Sequence, residues 1–375
     1  MKIAIVTETF LPSTDGVVTR LCEAIRWFVK QGNEVIVIAP DLGVSEFEGA
    51  KVIGVPCRSF FFYKSKKFSL PQRKVGKIIK DFHPDLIHIV NPALLGSAGI
   101  YYARKFNYPM VASYHTNVPQ YLNYYRLQAF KPLMWWYFKK LHSYADLNLC
   151  PSHAVKQELI DRKFHNMHIW ERGVDLDRFG PDQYSHEMRN RLSGGEPNKK
   201  LLLFVGRLAS EKEVYKIKPL LERDPNVRLA IVGDGPERES LELLFKGTNT
   251  VFTGFLHGKE LGEAYASADA FIFPSITETF GLVILEAMAS GLPVIAAKSG
   301  PTLEQIQDGR TGLLFENEDT ESMLQAVHKL EDDLLFHTLK KNARNEAEQY
   351  SWITPSQQLL DYYQEVVEDK FHQAQ

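Results

Sequence analysis

Two glutamates, Glu278 and Glu286, bracket the segment of this 375-residue chain that is richest in chemistry. An apolar run, Ala270-Phe271-Ile272-Phe273-Pro274-Ser275, precedes them, and an apolar helical pattern runs on to Gly291. A strand, a small turn and a helix start together offer unpaired backbone N–H groups and the positive end of a dipole, which suits a phosphate. Carboxylates repel a bare phosphate, so the two glutamates are better suited to sugar hydroxyls. The local chemistry is that of a phosphorylated sugar.

Further positions add to it. Arg207 and Lys212 follow the apolar run 201–206 on what should be a strand-end loop. There they can clamp a diphosphate, the arginine supplying a planar fork and the lysine a point charge. Solvated surface charge is the competing reading, and the glutamate element expected on the same sheet edge favours the clamp. Gly16, in Ser13-Thr14-Asp15-Gly16-Val17, lets backbone approach an anion at a helix start, although a plain cap by Thr14 or Asp15 explains the same residues. His115 ends the apolar run Val111-Ala112-Ser113-Tyr114, and strand C-termini of doubly wound sheets are where ligands sit. Ile231-Val232-Gly233-Asp234-Gly235 is a weak dinucleotide-like signal and more often a tight structural turn. No His, Cys and carboxylate cluster has metal-ligand spacing, and no nucleophile has an evident base, so neither a metal nor a cofactor is expected.

Short apolar runs alternate with amphipathic stretches along the chain. Strands are expected at 2–7, 34–39, 51–55, 85–90, 110–114 and 147–150, then at 201–206, 228–233, 251–254, 270–274 and 293–297. Between the first two, apolar residues at 18, 21, 25, 28 and 29 make one helical face. Such alternation implies α/β architecture with parallel sheets covered on both sides. The polar, turn-rich stretch 179–200 separates two Rossmann-like doubly wound domains, 1–180 and 181–354, whose strand ends face a cleft. The terminal helix, 355–375, is expected to pack back on the first domain.

With 44 basic and 46 acidic residues the chain has no basic field for nucleic acid. Three scattered cysteines argue for a reducing compartment, and the start at Met1-Lys2-Ile3 enters directly into a strand pattern with no leader or membrane span expected. The expected location is cytoplasmic and peripheral on the membrane. Two stretches, 58–68 and 121–140, mix aromatic rings with cations as headgroup-contacting surfaces do.

Taken together, Glu278 to Glu286, Val205-Gly206-Arg207 with Lys212, and Gly173-Val174-Asp175 resemble family 4 of the retaining glycosyltransferases, over nearly the whole chain. That family has two Rossmann-like domains, the GT-B fold. Gly49-Ala50-Lys51-Val52-Ile53-Gly54, Ser113-Tyr114-His115-Thr116, and Glu187-Met188-Arg189-Asn190-Arg191-Leu192-Ser193 with Gly195-Glu196-Pro197 are similar to sulfoquinovosyl-diacylglycerol synthases. The resemblance implies a UDP-sugar donor and a glycerolipid acceptor such as diacylglycerol, with sulfoquinovose one candidate sugar. It implies that Arg207 and Lys212 stabilise the leaving diphosphate and that Glu286 holds the ribose. Glu278 with the amides of Phe280, Gly281 and Leu282 would position donor sugar and phosphate, and Gly16 and His115 would complete the site. It further implies front-face reaction without a protein nucleophile or bound metal. A GDP-mannose donor, a soluble acceptor, or a non-catalytic nucleotide-sugar sensor are the alternatives. Asp15-Gly16-Val17, which lacks the paired glycines many relatives have in that loop, Asn117, where the plant-like lipid enzymes tend to carry a second histidine, and Gly300-Pro301-Thr302, in place of a Gly-Gly stretch, depart from the pattern.

Overall fold

The computed structural model describes residues 1–59, 67–279 and 281–373. The chain forms two compact units, Met1–Gly173 with Trp352–Gln375, and Val174–Ser351. These divisions fall a few residues before the expected boundaries at 180 and 354. Val174 and Phe179 are buried in the core of the second unit, which draws that stretch into it. At the other crossing, a Cβ placed on Gly173 would meet the Trp352 ring at 2.7 Å, so the two residues pack closely within the first unit.

The first unit contains β1 (Lys2–Thr7), β2 (Glu34–Pro40), β3 (Glu46–Phe47), β4 (Ala50–Val55), β5 (Arg58–Ser59), β6 (Lys67–Phe68), β7 (Leu86–Val90), β8 (Met110–Ser113), β9 (Leu147–Cys150) and β10 (Met167–Ile169). Eight of them make one sheet in the order β10-β9-β8-β7-β1-β2-β4-β3. All neighbours are parallel except β3 with β4, and β3 is an edge strand too short for periodicity to reveal. The strands are continuous apolar runs because both faces are covered. One face carries the helix Gly16–Lys30 through Val18, Leu21, Ile25 and Phe28. The same cluster takes Leu359, Leu360, Tyr363 and Val366 from the terminal helix Ile353–Gln373. The other face carries Val75, Ile79, Ala98 and Ile100. Burying each such aliphatic side chain is worth about 1.5–3 kcal/mol, so the terminal helix is a structural part of this unit.

The second unit repeats the principle with β11 (Lys200–Val205), β12 (Val227–Val232), β13 (Thr250–Gly254), β14 (Ala270–Phe273), β15 (Val294–Ala297) and β16 (Gly312–Phe315). Their order is β13-β12-β11-β14-β15-β16, all parallel. The order reverses at β11, so the loops leaving β11 and β14 diverge from a topological switch point, the usual ligand position of such sheets.

Candidate active site

In the second unit, the loop after β11 is built on backbone contact. Gly206 N–H donates to Val232 O at 3.0 Å and Leu208 N–H to Asp234 O at 3.0 Å. A Cβ on Gly233, whose φ is +135°, would stand 1.9 Å from Gly206 O, so only glycine admits this approach. The glycine turn at 233 thus acts as a seat for the loop that carries Arg207. Arg207 in turn bonds the buried Glu211 carboxylate. Glu211 O accepts the hydroxyls of Ser275 at 2.9 Å and Thr277 at 3.1 Å, which ties this loop to the one leaving β14.

That second loop leads to the helix Leu282–Ala289, which begins after Gly281 in the left-handed conformation, φ +65°. A side chain there would be strained and would crowd Ile284 Cδ1 at 3.1 Å. Glu278 receives Lys212 in an ion pair, and its Oε1 accepts Thr279 N–H at 3.3 Å. The structure therefore brings Arg207, Lys212, Glu278, Gly281 and Leu282 together at one end of the second sheet. Phe280 lies outside the described residues. Glu286 stands one turn further into the helix and accepts the Tyr265 hydroxyl at 2.9 Å. Burial raises its carboxyl pKa to about 7, against the lowering effect of Tyr265 and of the nearby Arg178.

In the first unit, Asp15 is the cap of the first helix: its Oδ1 accepts Val17 N–H at 3.2 Å and Val18 N–H at 3.1 Å. Gly16 is the first helical residue. One turn on, Arg20 is buried, donates to the carbonyls of Trp170 and Glu171, and lies 4.1 Å from the Trp170 ring. His115 meets the same ring edge-on at 5.4 Å, so Trp170 connects the start of the helix to the histidine. His115 is 8% exposed, its backbone N–H donates to Asn91 Oδ1 at 3.2 Å, and its Nε2 bonds Ser113 Oγ at 2.9 Å. Burial first, then the Arg20 charge, holds its pKa well below the usual histidine range.

Two of the departures from the family pattern have structural roles. Asn117 accepts the Tyr114 hydroxyl at 3.1 Å and donates to Glu158 at 3.1 Å. Thr302 completes a capping box with Ser299. Arg189, part of the lipid-enzyme likeness, also holds the fold, donating to three backbone carbonyls and pairing with Asp269 at 2.7 Å. Sequence reading missed Tyr265, Glu211, Arg20 and Glu8, whose carboxylate accepts the N–H groups of Ala93, Leu95 and Gly96 at 2.8–3.1 Å. Among the described residues no group of His, Cys, Asp and Glu is placed to hold a metal ion, and no helix is long and apolar enough to cross a membrane.

Of the expected membrane stretches, 60–66 lie outside the described residues, and Arg58–Ser59 pairs antiparallel with Lys67–Phe68. The helix Lys131–His142 buries Trp135, Phe138 and Leu141, whereas Leu133 and Trp136 are 56% and 61% exposed.

The family model for Glycosyltransferase Family 4 matches residues 14–178, and that for Glycosyl transferases group 1 matches residues 189–349. Sulfoquinovosyl transferase SQD2 of Arabidopsis thaliana is 40% identical over 348 residues, 90% of this chain and 68% of that protein. A GDP-mannose-dependent alpha-mannosyltransferase of Mycobacterium tuberculosis is 37% identical, covering 98% of this chain and 97% of its own length. An alpha-monoglucosyldiacylglycerol synthase of Streptococcus pneumoniae is 30% identical, covering 91% and 81%. Among solved structures, Anabaena Alr3699/HepE in complex with UDP and glucose superposes with a TM-score of 0.80 at 21% identity, over 97% of this chain and 100% of that one. At that identity the likeness concerns the fold.

Proposed function

We propose a reaction for this chain, which belongs to the family 4 glycosyltransferases and has the GT-B fold: transfer of a hexose-type sugar from a UDP-sugar to a glycerolipid such as diacylglycerol, with retention at the anomeric carbon. The observation that carries it is the Lys212–Glu278 ion pair at the start of the helix Leu282–Ala289. It fixes an ammonium beside the positive end of a helix, with Arg207 held on the same loop by Glu211. As the sugar–phosphate bond breaks, negative charge grows on the departing diphosphate. Preorganised cations and amides stabilise that charge without reorganising at the moment of reaction. Glu286 would hold the ribose and Glu278 would position the donor sugar; in the first unit, His115 would bond a sugar hydroxyl. The acceptor hydroxyl then needs only positioning, which supports a front-face route with no protein nucleophile and no metal.

The lipid acceptor is supported by similarity to the sulfoquinovosyl transferase and the monoglucosyldiacylglycerol synthase. A GDP-mannose donor is the second reading, favoured by the near full-length match to the mannosyltransferases. The test is turnover by the purified protein with a panel of UDP- and GDP-sugars, diacylglycerol vesicles and a soluble acceptor, read by mass spectrometry and by the anomeric configuration of the product. UDP-hexose transfer to diacylglycerol with retention is expected. Transfer from GDP-mannose alone would move the donor assignment, and donor binding with no product under any condition would make the chain a sensor.

A further inference from the structure

Three buried polar side chains connect the terminal helix to His115. Tyr363 OH lies 2.6 Å from His88 Nδ1, His88 Nε2 lies 2.8 Å from Ser113 Oγ, and Ser113 Oγ lies 2.9 Å from His115 Nε2. His88, Ser113 and Tyr363 are fully buried and His115 nearly so. His88 sits on β7 in the apolar run Leu86–Val90, and Ser113 ends β8 beside it, paired with Val90. Tyr363 reaches them from the helix that packs on this sheet.

Proton counting gives this chain a direction. A buried hydroxyl left without an acceptor costs about 1–3 kcal/mol. Among the described residues the Tyr363 hydroxyl has one hydrogen-bond partner, His88 Nδ1, so it must donate there. Nδ1 then supplies a lone pair, and neutral His88 carries its proton on Nε2. Burial drives the His88 pKa down to about 3, and the buried Arg20 guanidinium nearby adds to the effect, so the imidazole is neutral at physiological pH. His88 Nε2–H therefore donates to Ser113 Oγ. The one proton of Ser113 is left for His115 Nε2, which must accept. His115, also neutral, carries its proton on Nδ1.

We infer that Tyr363 is a positioning residue for His115: through His88 and Ser113, the terminal helix selects the Nδ1–H tautomer of the histidine. In this form His115 carries its proton on Nδ1, while Nε2 accepts from the serine. A donor at Nδ1 is what a sugar hydroxyl oxygen accepts from. The tautomer stands without the proposed reaction; only its effect on turnover rests on that reading.

The experiment is ring-nitrogen NMR on the full chain labelled with 15N-histidine, using long-range 1H–15N correlations that separate protonated from unprotonated nitrogens, with His115 assigned by the His115→Gln spectrum. The wild type is expected to show protonated Nδ1 at His115 and protonated Nε2 at His88. Tyr363→Phe keeps the ring packing and removes the donor. With the fold unchanged by circular dichroism, His115 is expected to show both tautomers, and kcat/KM for the donor to fall about two- to tenfold as the competent fraction drops. Loss of turnover without a tautomer change, or a Tyr363→Phe spectrum identical to wild type, overturns the relay. So does protonated Nε2 at His115 in the wild type, a result that needs no variant to fold. A correct tautomer in a protein with no transferase activity would keep the relay and sink the reaction.

Discussion

Tyr265 donates its hydroxyl to Glu286 at 2.9 Å, so the carboxylate proposed to hold the ribose is itself held by a tyrosine from the preceding helix, Gly258–Ala266. The tyrosine takes one lone pair of Glu286, and burial raises the carboxyl pKa from 4.5 to about 7. The carboxylate is thus set in a defined direction at a cost in stability.

The pH dependence follows in sign. A folded-state pKa above the unfolded value means that the native protein binds more protons between about 4.5 and about 7. Stability therefore falls as pH rises through that window and stays lower above it. Glu286→Gln removes the titration. It should flatten this part of the stability–pH curve and raise stability at pH 8 by on the order of 1 kcal/mol, since partial solvent access discounts the full shift. Donor affinity should weaken about tenfold at the same time, because the ribose loses a charged acceptor. Thermal melts at pH 5 and pH 8 and donor titrations read both. Parallel curves for variant and wild type would remove Glu286 from the titration.

Lys212→Ala and Arg207→Ala separate electrostatic stabilisation from packing. Each should lower kcat/KM by about 2–4 kcal/mol of barrier, roughly 30- to 1,000-fold. The melting temperatures should differ. Lys212 and Glu278 are both partly exposed, so that variant should melt near wild type. Arg207→Ala takes a cation from beside Glu211, whose side chain is 1% exposed, and should melt several degrees lower. Wild-type kinetics in both variants would exclude the pair from the reaction.

The alternation of apolar runs and amphipathic helices marked both α/β units and their central strands but not the edge strands β3, β10 and β16; Arg207, Lys212, Glu278 and Gly281 could be singled out because strand ends and helix starts are where ligands sit in such sheets. Partners distant in the chain were not legible. His88 looks like a polar interruption of an apolar strand, and nothing local points to Tyr363, 275 positions later. Arg20 falls among the buried positions of an amphipathic helix, and its burial is explained by distant parts of the chain, the Trp170 ring and the carbonyls of Trp170 and Glu171. Glu8 is intelligible only once the loop after β7 brings the amides of Ala93, Leu95 and Gly96 to it. Gly233 was read as a structural turn, and the approach of Gly206 O is the physical reason.

The helix Lys131–His142 supplies the last prediction. Trp135 and Phe138 pack inward, and Leu133 and Trp136 point outward with Lys140 one turn beyond. Phe130, Leu127 and Tyr125 extend the same exposed apolar stretch, at 45–55% exposure. Apolar side chains flanked by lysines gain from inserting at an anionic headgroup layer, each contributing about 1.5–3 kcal/mol when fully buried. The wild type should float with anionic vesicles at low salt and less well at high salt, since the lysine contribution is screened. Leu133→Glu with Trp136→Glu should lower vesicle partitioning by about 100-fold or more. The outward side chains lie away from the packed face, so turnover of a short-chain, water-soluble diacylglycerol should stay at wild-type level. Equal flotation of variant and wild type would place the lipid contact elsewhere, and loss of activity on the soluble acceptor would show that these side chains support the fold.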